Sequence, residues 1–494
     1  MPYRRTLPST ALDRLRMPLS ALGAALFLAG CAQLPDLGAT PRPQSVEAFP
    51  STVSLKAPSA QWPAEQWWTA YGDAQLNALI AEALADAPDL AAAAARLQRA
   101  DAVVQITGAA SQPQVSANAS VTGDKLSYNH LVPRSPATEG LNDYGRATLD
   151  VRWELDFWGK NRAALAAATS EVEASRAELA QARLWLAAGV AAHYAELSRL
   201  HANRDTAAKA VEIRQKTARL FAQRFDNGLE TRGGLRNADA RRAVTEGELL
   251  ALDEQIALQR NRLAALLGAG PDRGLSIAAP TLKLDRAFGL PAQLSADLLG
   301  RRPDVVAARL RAQALGSRID QKKAEFYPNV NLSALVGVQS LGLERLAKGG
   351  SGIASIGPAI SLPIFSGGRL QGELRGAHAS HAEAVAQYNA TVARALQDVA
   401  DNAIRQKALG PRLNKAQEAV DAASESHRVA RNRYEGGLAN YLEVLTAEDS
   451  LLGALSAQTN LRSASFTLDI GLQRALGGGY QLAAPTSPLA SAQK

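Results

Sequence analysis

The sequence has a single cysteine, Cys31, among 494 residues, and only 5% of its residues are aromatic although 47% are hydrophobic. One cysteine excludes an intrachain disulfide and every metal or redox motif that needs paired cysteines. Much of the hydrophobic content is alanine, the residue with the highest helix propensity. The composition therefore indicates a mostly helical protein without covalent cross-links.

The sequence also lacks the motifs of common enzyme classes, because it contains no HExxH, GxSxG or P-loop pattern. Its six histidines are scattered, and the close pair His378 and His381 has no neighbouring cysteine or acidic cluster. The net charge of +7 includes no basic patch with interleaved aromatics, which argues against a nucleic-acid partner. We expect no enzyme activity, no metal and no nucleic acid.

The N-terminus has the pattern of an exported protein. Four arginines precede a short apolar run over residues 19–28, as in a secretory signal. The run ends in Leu28-Ala29-Gly30-Cys31, which resembles a bacterial lipobox, and the resemblance implies a covalent lipid on Cys31 as the sole bound group. Ala32 follows instead of Asp, which implies sorting to the outer membrane. We expect a signal peptide over 1–30 and an extended, lipidated tether over 31–66, where prolines recur without a hydrophobic period.

The mature sequence contains a duplication. Matching segments recur at constant offsets of 215 and then 209 residues: Pro88-Asp89-Leu90 with Pro303-Asp304-Val305, Pro113-Gln114-Val115 with Pro328-Asn329-Val330, 224–229 with 433–438, and Leu267-Gly268 with Leu476-Gly477. Constant offsets across diverged sequence indicate a duplicated structural unit. We divide the chain into a first repeat (67–270), a linker (271–292), a second repeat (293–478) and a tail (479–494). Each repeat is predicted to run helix, strand, strand, long helix, helix.

Each repeat contains a predicted β-hairpin in which apolar and polar residues alternate. This pattern is typical of strands with one face in an apolar environment and the other in contact with water. The proposed membrane-facing positions are Val151, Trp153, Leu155, Val330, Leu332, Ile360 and Leu362. Strands of about nine residues can cross a membrane, and aromatics such as Trp158 and Tyr327 beside them fit the girdles of outer-membrane barrels. A soluble β-sandwich is the alternative, since its strands also alternate.

Four strands per chain constrain the assembly. Membrane barrels have at least about eight strands, and unpaired sheet edges are not tolerated in lipid. Two chains would give an eight-stranded barrel, whose interior is filled by side chains. Three chains give about 12 strands and a pore, so we expect a homotrimer.

The helical segments predict the rest of the architecture. Residues 160–225 contain no proline and would form a helix of about 100 Å. The flanking segments 74–110 and 235–267 would add helices of about 55 and 50 Å, which together match the long one. We expect a mainly α protein with membrane β strands, in which a periplasmic α-helical barrel continues the trimeric 12-stranded β-barrel. An ordinary helical bundle is the alternative.

Several segments resemble the hallmarks of the outer-membrane efflux proteins, in particular the lipoproteins of the TolC/NodT type. They are Trp67-Trp68-Thr69-Ala70-Tyr71-Gly72-Asp73, Trp153-Glu154-Leu155-Asp156-Phe157-Trp158-Gly159, Arg301-Arg302-Pro303-Asp304-Val305, Tyr327-Pro328-Asn329-Val330 and Leu362-Pro363-Ile364-Phe365-Ser366-Gly367-Gly368-Arg369. The resemblance implies a trimeric outer-membrane channel that conducts small toxic compounds. It also implies a periplasmic adaptor and an inner-membrane transporter as partners.

The resemblance implies that the two glycine turns between helices, the tips, dock the adaptor, which selects Gly228, Leu229, Gly437 and Leu438. The glycines also fit helix C-caps, where a left-handed conformation is needed. In the first tip Gly233-Gly234 stands where Leu442-Glu443 would align. Two glycines weaken a helix start by roughly 1 kcal/mol each, so we expect the first tip to be less rigid.

A pore constriction is expected on the helix that begins near Tyr441, with Leu442, Glu443 and Leu445 as further candidates. The family often has an acidic residue one turn into this helix, but this chain has Thr446 there. Glu443 is the nearest substitute, and a merely solvated Glu443 is the alternative. A duct for type I protein secretion remains open as a second function, although the lipobox and the NodT-like segments favour small molecules.

The lipobox gives a direct prediction. Metabolic labelling with palmitate should tag the wild-type protein and leave Cys31→Ser untagged, because the thiol is the attachment point. Membrane insertion of Cys31→Ser should survive in part, since the strands anchor the protein independently. Labelling of the Cys31→Ser protein would rule out the assignment.

Overall fold

The computed structural model describes residues 34–125, 127, 129, 136, 139–284, 288–292 and 294–481. Cys31, with the signal peptide and the start of the tether, lies outside these residues. The principal elements are α1 (Ala74–Asp86), α2 (Pro88–Ala109), β1 (Gln114–Asp124), β2 (Asn142–Leu155), α3 (Lys160–Asp226), α4 (Arg232–Leu266), α5 (Pro271–Leu275), α6 (Leu294–Arg301), α7 (Pro303–Ala324), β3 (Asn329–Leu341), β4 (Gly352–Ser361), α8 (Arg369–Glu435) and α9 (Tyr441–Ala475). Short 3₁₀ helices occupy Val46–Ala48, Trp67–Tyr71 and Leu343–Arg345.

The duplication predicted from the sequence appears as two copies of one element order. The long helices α3 and α8 each have 67 residues, and the helices that follow them, α4 and α9, each have 35. The expected single helix over 74–110 is wrong, because the chain breaks at Ala87 into α1 and α2. Pro88 causes the break, since a residue before proline avoids the helical conformation and proline favours a first helical turn.

The residues that recur in both copies contact one another, which explains why they recur. Gly268 has a positive φ of 74° and packs so closely on Pro88 that an added Cβ would lie 2.7 Å from its ring. In the second copy Gly477, with φ 88°, packs against the backbone of Arg301 in the same way. Each repeat therefore closes its last helix onto the proline turn near its start, at a place where only glycine fits.

The chain divides into two compact units, and each takes segments from both repeats. Within the described residues the sheet unit comprises 34–43, Gln98–Ala174 and Arg309–Gln387, and the helical unit comprises Gln44–Leu97, Ser175–Ala308 and 388–481. In the sheet unit the four strands form one antiparallel sheet in the order β1-β2-β3-β4. The hairpins of the two repeats thus join into one sheet, through the pairing of β2 with β3.

The helical unit has a core of tightly packed alanine, leucine and aromatic side chains. Trp67, Tyr71 and Tyr194 are buried there with residues of α1 and α3. Asp73 caps α1 by accepting from the backbone N–H of Gln75 at 2.9 Å, and its other oxygen accepts from the Tyr194 hydroxyl at 3.0 Å and from Thr281 N at 2.8 Å. Burial would raise the pKa of Asp73, but these hydrogen bonds lower it below its ordinary value. The Trp67–Asp73 hallmark is therefore a folding motif.

Part of the predicted tether lies on the helical unit. The backbone N–H of Leu290 donates to the carbonyl of Pro58 at 2.8 Å, and Ala60 N donates back to Leu290 O at 2.9 Å. The guanidinium of Arg301 lies 4.7 Å from the centre of the Trp62 ring. From about residue 44 onward the segment is therefore in contact with the protein, and it contains the short 3₁₀ helix Val46–Ala48 and a turn at 52–55.

The glycine contacts predict a position-specific loss of stability. Gly477→Ala should lower the free energy of unfolding by at least about 1 kcal/mol, because alanine disfavours positive φ and its Cβ would collide with the Arg301 backbone. Gly453→Ala is the matched control, since Gly453 lies in α9 with open space around it, and should be neutral or stabilising. Thermal unfolding in detergent compares them, and equal stability of the two variants would contradict the contact.

Candidate functional site

The strand register places most apolar strand residues on one face of the sheet. Val115, Val151, Ala334 and Ile356 form one row across the four strands. The neighbouring rows on this face are Ala117-Leu149-Val336-Ala354, Trp153-Leu332-Pro358 and Leu155-Val330-Ile360. Ile356 is 77% exposed and Ile360 is 70% exposed. So large an exposed apolar surface indicates contact with lipid or with another apolar partner.

Six of the seven strand residues singled out from the sequence lie within these rows. The exception is Leu362, which lies just past Ser361, the last residue of β4. The assignment of Leu362 to a strand was wrong because Pro363 follows it, and proline has no N–H to extend the ladder. The β3–β4 pairing accordingly ends at Asn329 and Ser361.

An aromatic and charged cluster joins the ends of the two hairpins. Trp158 stacks on Tyr327 with ring centres 4.8 Å apart, and its Nε1 donates to the carbonyl of Pro328 at 2.8 Å. Lys160, in the first turn of α3, forms an ion pair with Glu154 of β2. A cavity of about 380 Å³ is lined by residues of this cluster. Such tethered, half-exposed aromatics are expected where strands leave a membrane.

The two tips have the same cap geometry. Gly228 and Gly437 have φ of 72° and 73°. In the first tip Leu229 N donates to the carbonyl of Arg224 at 2.7 Å, and in the second Leu438 N donates to the carbonyl of Arg433 at 2.7 Å. Both are left-handed glycine C-caps. Leu229 and Leu438 are 64% and 75% exposed, so each tip presents a leucine side chain to its surroundings.

The paired glycines of the first tip lie inside the helix that follows and do not shift its start. α4 begins at Arg232 and contains both Gly233 and Gly234. Thr231 caps it, with its hydroxyl accepting from Gly234 N at 3.0 Å, as Asn440 caps α9 by accepting from Glu443 N at 3.1 Å. A side-chain cap is worth about 1 kcal/mol, which offsets much of the glycine cost.

The side chains proposed for the constriction divide between a core and a surface. Leu445 is fully buried in a cluster, the tip core, with Phe221, Tyr434 and Val444. It therefore faces the inside of this chain and cannot line a pore, which corrects the sequence assignment. Tyr441 is partly buried, with its ring edge-on to Phe221 at 6.1 Å. Leu442 is 55% exposed and lies on the face of α9 that does not contribute to the tip core, which is called the free face below.

Glu443 is exposed but paired. Its carboxylate lies 3.2 Å from the guanidinium of Arg433, which also donates to the carbonyl of Leu438 at 3.3 Å. Leu442, Glu443 and Thr446 line one groove between α8 and α9, about 670 Å³ in volume. The charge of Glu443 is thus balanced within the chain.

A link between the two tips was not predicted from the sequence. The Tyr434 hydroxyl donates to Oε2 of Glu230 at 2.5 Å, and the guanidinium of Arg224 lies 4.5 Å from the centre of the Tyr434 ring. Burial and the neighbouring carboxylate raise the pKa of Tyr434. Burial would raise the pKa of Glu230, but the hydrogen bonds from Tyr434 and Thr231 lower it overall. The available signal was that Glu230 and Tyr434 are unlike their repeat counterparts, Ala439 and Phe225.

A buried ionic cluster in the helical unit was also missed. Glu448 of α9 is fully buried and lies 2.9 Å from the Arg214 guanidinium, while its Oε2 accepts from the Thr217 hydroxyl at 2.8 Å. Asp449 bridges Arg214 of α3 and Arg241 of α4. The paired charges fix the relative positions of three helices, since separating them would leave a buried charge uncompensated.

The described helices include none that is long and apolar enough to cross a membrane. Within the described residues no group of three or more His, Cys, Asp or Glu side chains could hold a metal ion.

A sheet with one exposed apolar face and long helices that end in paired glycine caps are the features of an outer-membrane channel protein. Residues 79–269 and 294–478 match the family described as outer membrane efflux protein, and the chain belongs to that family. Its members are channels and not enzymes, and the protein is an outer-membrane efflux channel protein.

Named relatives extend over most of the chain. The multidrug resistance outer membrane protein MdtP of Escherichia coli K12 is 32% identical over 95% of this chain and 97% of its own. The fusaric acid resistance protein FusA of Burkholderia cepacia is 36% identical over 74% of this chain and 69% of its own. The crystal structure of the outer membrane protein VceC of Vibrio cholerae superposes with a TM-score of 0.82 at 46% identity, covering 85% of this chain and all of that one.

The link between the tips predicts a local stability that depends on Tyr434. Tyr434→Phe should speed amide exchange at the tip turns about ten- to a hundredfold, because a hydrogen bond to a charged group contributes about 1.5–3 kcal/mol. Tyr441→Phe is the control, since the Tyr441 ring lies in the same core. Because the pKa of Glu230 is lowered from 4.5 in the folded protein, the protection of the tip amides that depends on this hydrogen bond should be complete above pH 4.5. It should be lost as the pH falls through the lowered pKa of Glu230. Equal exchange in the two variants would contradict the link.

Proposed function

We propose that the protein is the outer-membrane channel of a tripartite efflux pump, which passively conducts small toxic compounds outward when it is docked to a periplasmic adaptor and an inner-membrane transporter. The observation that carries this proposal is the exposed apolar sheet face on a chain of the efflux family. MdtP is named for multidrug resistance, which supports small molecules over secreted proteins as the cargo. Fusaric acid is a candidate substrate, because FusA is named for resistance to it.

The proposed assembly is a homotrimer with a lipid on Cys31. Within the described residues β1 and β4 have a partner strand on one side only. In lipid each unpaired backbone group costs several kcal/mol, so β4 of one chain would pair with β1 of the next. Three chains would then give a closed barrel of about 12 strands, wide enough to leave a pore.

The proposed docking surface is the pair of tips, with Gly228 and Gly437 as caps and Leu229 and Leu438 as the exposed apolar contacts. The proposed constriction involves fewer residues than the sequence indicated. Leu442 and Glu443 are on the free face of α9, whereas Tyr441 and Leu445 support them from the tip core. In each chain Arg433 balances the charge of Glu443, so three copies of Glu443 around a narrow ring would favour cations only where this ion pair opens.

The decisive experiment measures assembly and conduction together. The purified protein in mild detergent should have a mass of about 150 kDa, three mature chains, and should form channels in planar bilayers. Leu442→Ala with Glu443→Ala should raise the single-channel conductance and reduce the preference for cations. In cells, deletion of the gene should sensitise growth to a panel that includes fusaric acid, and Leu438→Asp should reproduce that sensitivity while leaving conductance unchanged.

A monodisperse monomer that conducts ions would contradict the assembly. Conductance and selectivity that are unaltered by the double change would place the constriction elsewhere. Loss of an exported protein, with normal resistance to every compound, would favour the secretion duct instead.

A further inference from the structure

The charge on the polar face of the sheet is concentrated on β2. In the rows that run from Gln114 to Thr122, the polar faces of β1, β3 and β4 contain neutral residues. The charged residues of these rows all belong to β2 and are Arg146, Asp150 and Arg152. Asp124 lies one row beyond Thr122, at the end of β1.

The carboxylate of Asp150 attracts both Arg146 and Arg152, which lie on the same face of β2, and the three residues together leave a net charge of +1 on this strand. Asp150 accepts from the Asn118 amide at 2.8 Å and from the Thr148 hydroxyl at 2.8 Å. Glu154, next along β2, is paired with Lys160. Within the described residues the side chains of Arg146 and Arg152 form no ion pair or hydrogen bond, and Arg152 is exposed.

The register decides which way these arginines face. Arg146 and Arg152 alternate with Leu149, Val151 and Trp153, which belong to the apolar face. If the apolar face contacts lipid, as the proposed function requires, the arginines face the pore. An arginine on the lipid side would instead cost about 2–4 kcal/mol near the midplane.

We infer that Arg146 and Arg152 make the barrel wall selective for anions, so that the channel favours negatively charged compounds such as organic carboxylates at this level of the pore. This inference rests on the proposed trimeric channel. Three chains would carry six such arginines and three Asp150 carboxylates on the wall. The two arginines of one strand are six residues apart, about 20 Å along the strand, so they form two separate rings. Rings of arginine are a recognised basis of anion preference in pores.

The size of the expected anion preference follows from the screened electrostatic potential of one ring of three arginines. At about 10 Å from three charges in water at physiological salt, the potential changes the ratio of cation to anion permeability roughly threefold. At about 1 M salt the Debye length falls to about 3 Å, and the effect should vanish. The inferred preference is therefore moderate and depends on ionic strength.

The test measures reversal potentials of single trimeric channels in a KCl gradient near 0.15 M, and again near 1 M. Arg146→Gln with Arg152→Gln should raise the permeability of K⁺ relative to Cl⁻ by about threefold at the lower salt and little at the higher. Arg146→Lys with Arg152→Lys is the matched control and should keep the wild-type value, because the charge remains. With benzoate in place of chloride, the permeability of the anion relative to K⁺ should fall by a similar factor in the glutamine variant.

Asp150→Asn provides an independent arm, because it removes a negative charge from the same wall and should shift the selectivity toward anions. Normal trimers whose selectivity is unchanged in both the glutamine variant and Asp150→Asn would overturn the inference while leaving the proposed function intact. A shift of the glutamine variant toward anions would overturn it as well. A wild-type protein that forms no trimeric channel overturns the proposed function itself.

Discussion

The outer edges of β1 and β4, which pair with no strand within the described residues, impose the strongest constraint on this molecule. In water such edges can be hydrated, but in lipid each unpaired group costs several kcal/mol. Four strands leave two edges, and no rearrangement of the same strands within one chain removes both. In the proposed channel the apolar face, which Val151, Leu332 and Ile356 share, contacts lipid. Both features together support the proposed completion of the sheet by other copies of the chain.

The duplication determines how the chain meets this constraint. Each repeat supplies one hairpin, and the β2–β3 pairing fuses the two into one sheet. Each repeat also closes on itself through a glycine, Gly268 on Pro88 and Gly477 on Arg301. The recurring segments at Pro88, Gly268 and Gly477 are therefore contact points of the fold. The recurring tip segments keep the same cap geometry, but Glu230 and Tyr434 differ from their counterparts Ala439 and Phe225.

Much of the fold could be predicted from the sequence because it depends on local rules. Alternation fixes the faces of the strands, and positive φ fixes glycine at 228 and 437. The failures arose where tertiary packing decides. Helical periodicity groups Leu445 with one face of α9 but cannot tell whether that face meets a pore or Phe221 of α3. Likewise the contact of Glu230 with Tyr434 joins residues 204 positions apart, and no local pattern announces it.

The proposed completion of the strands by other copies has a consequence for genetics. A chain whose own helices fold but whose β1 or β4 edge is defective would still be recruited into the proposed three-chain barrel by its intact edge. If such a chain were expressed in equal amount with the normal one and mixed at random, only about one barrel in eight would consist of normal chains alone. Edge mutations should therefore behave as dominant, whereas mutations that prevent the chain from folding should be recessive.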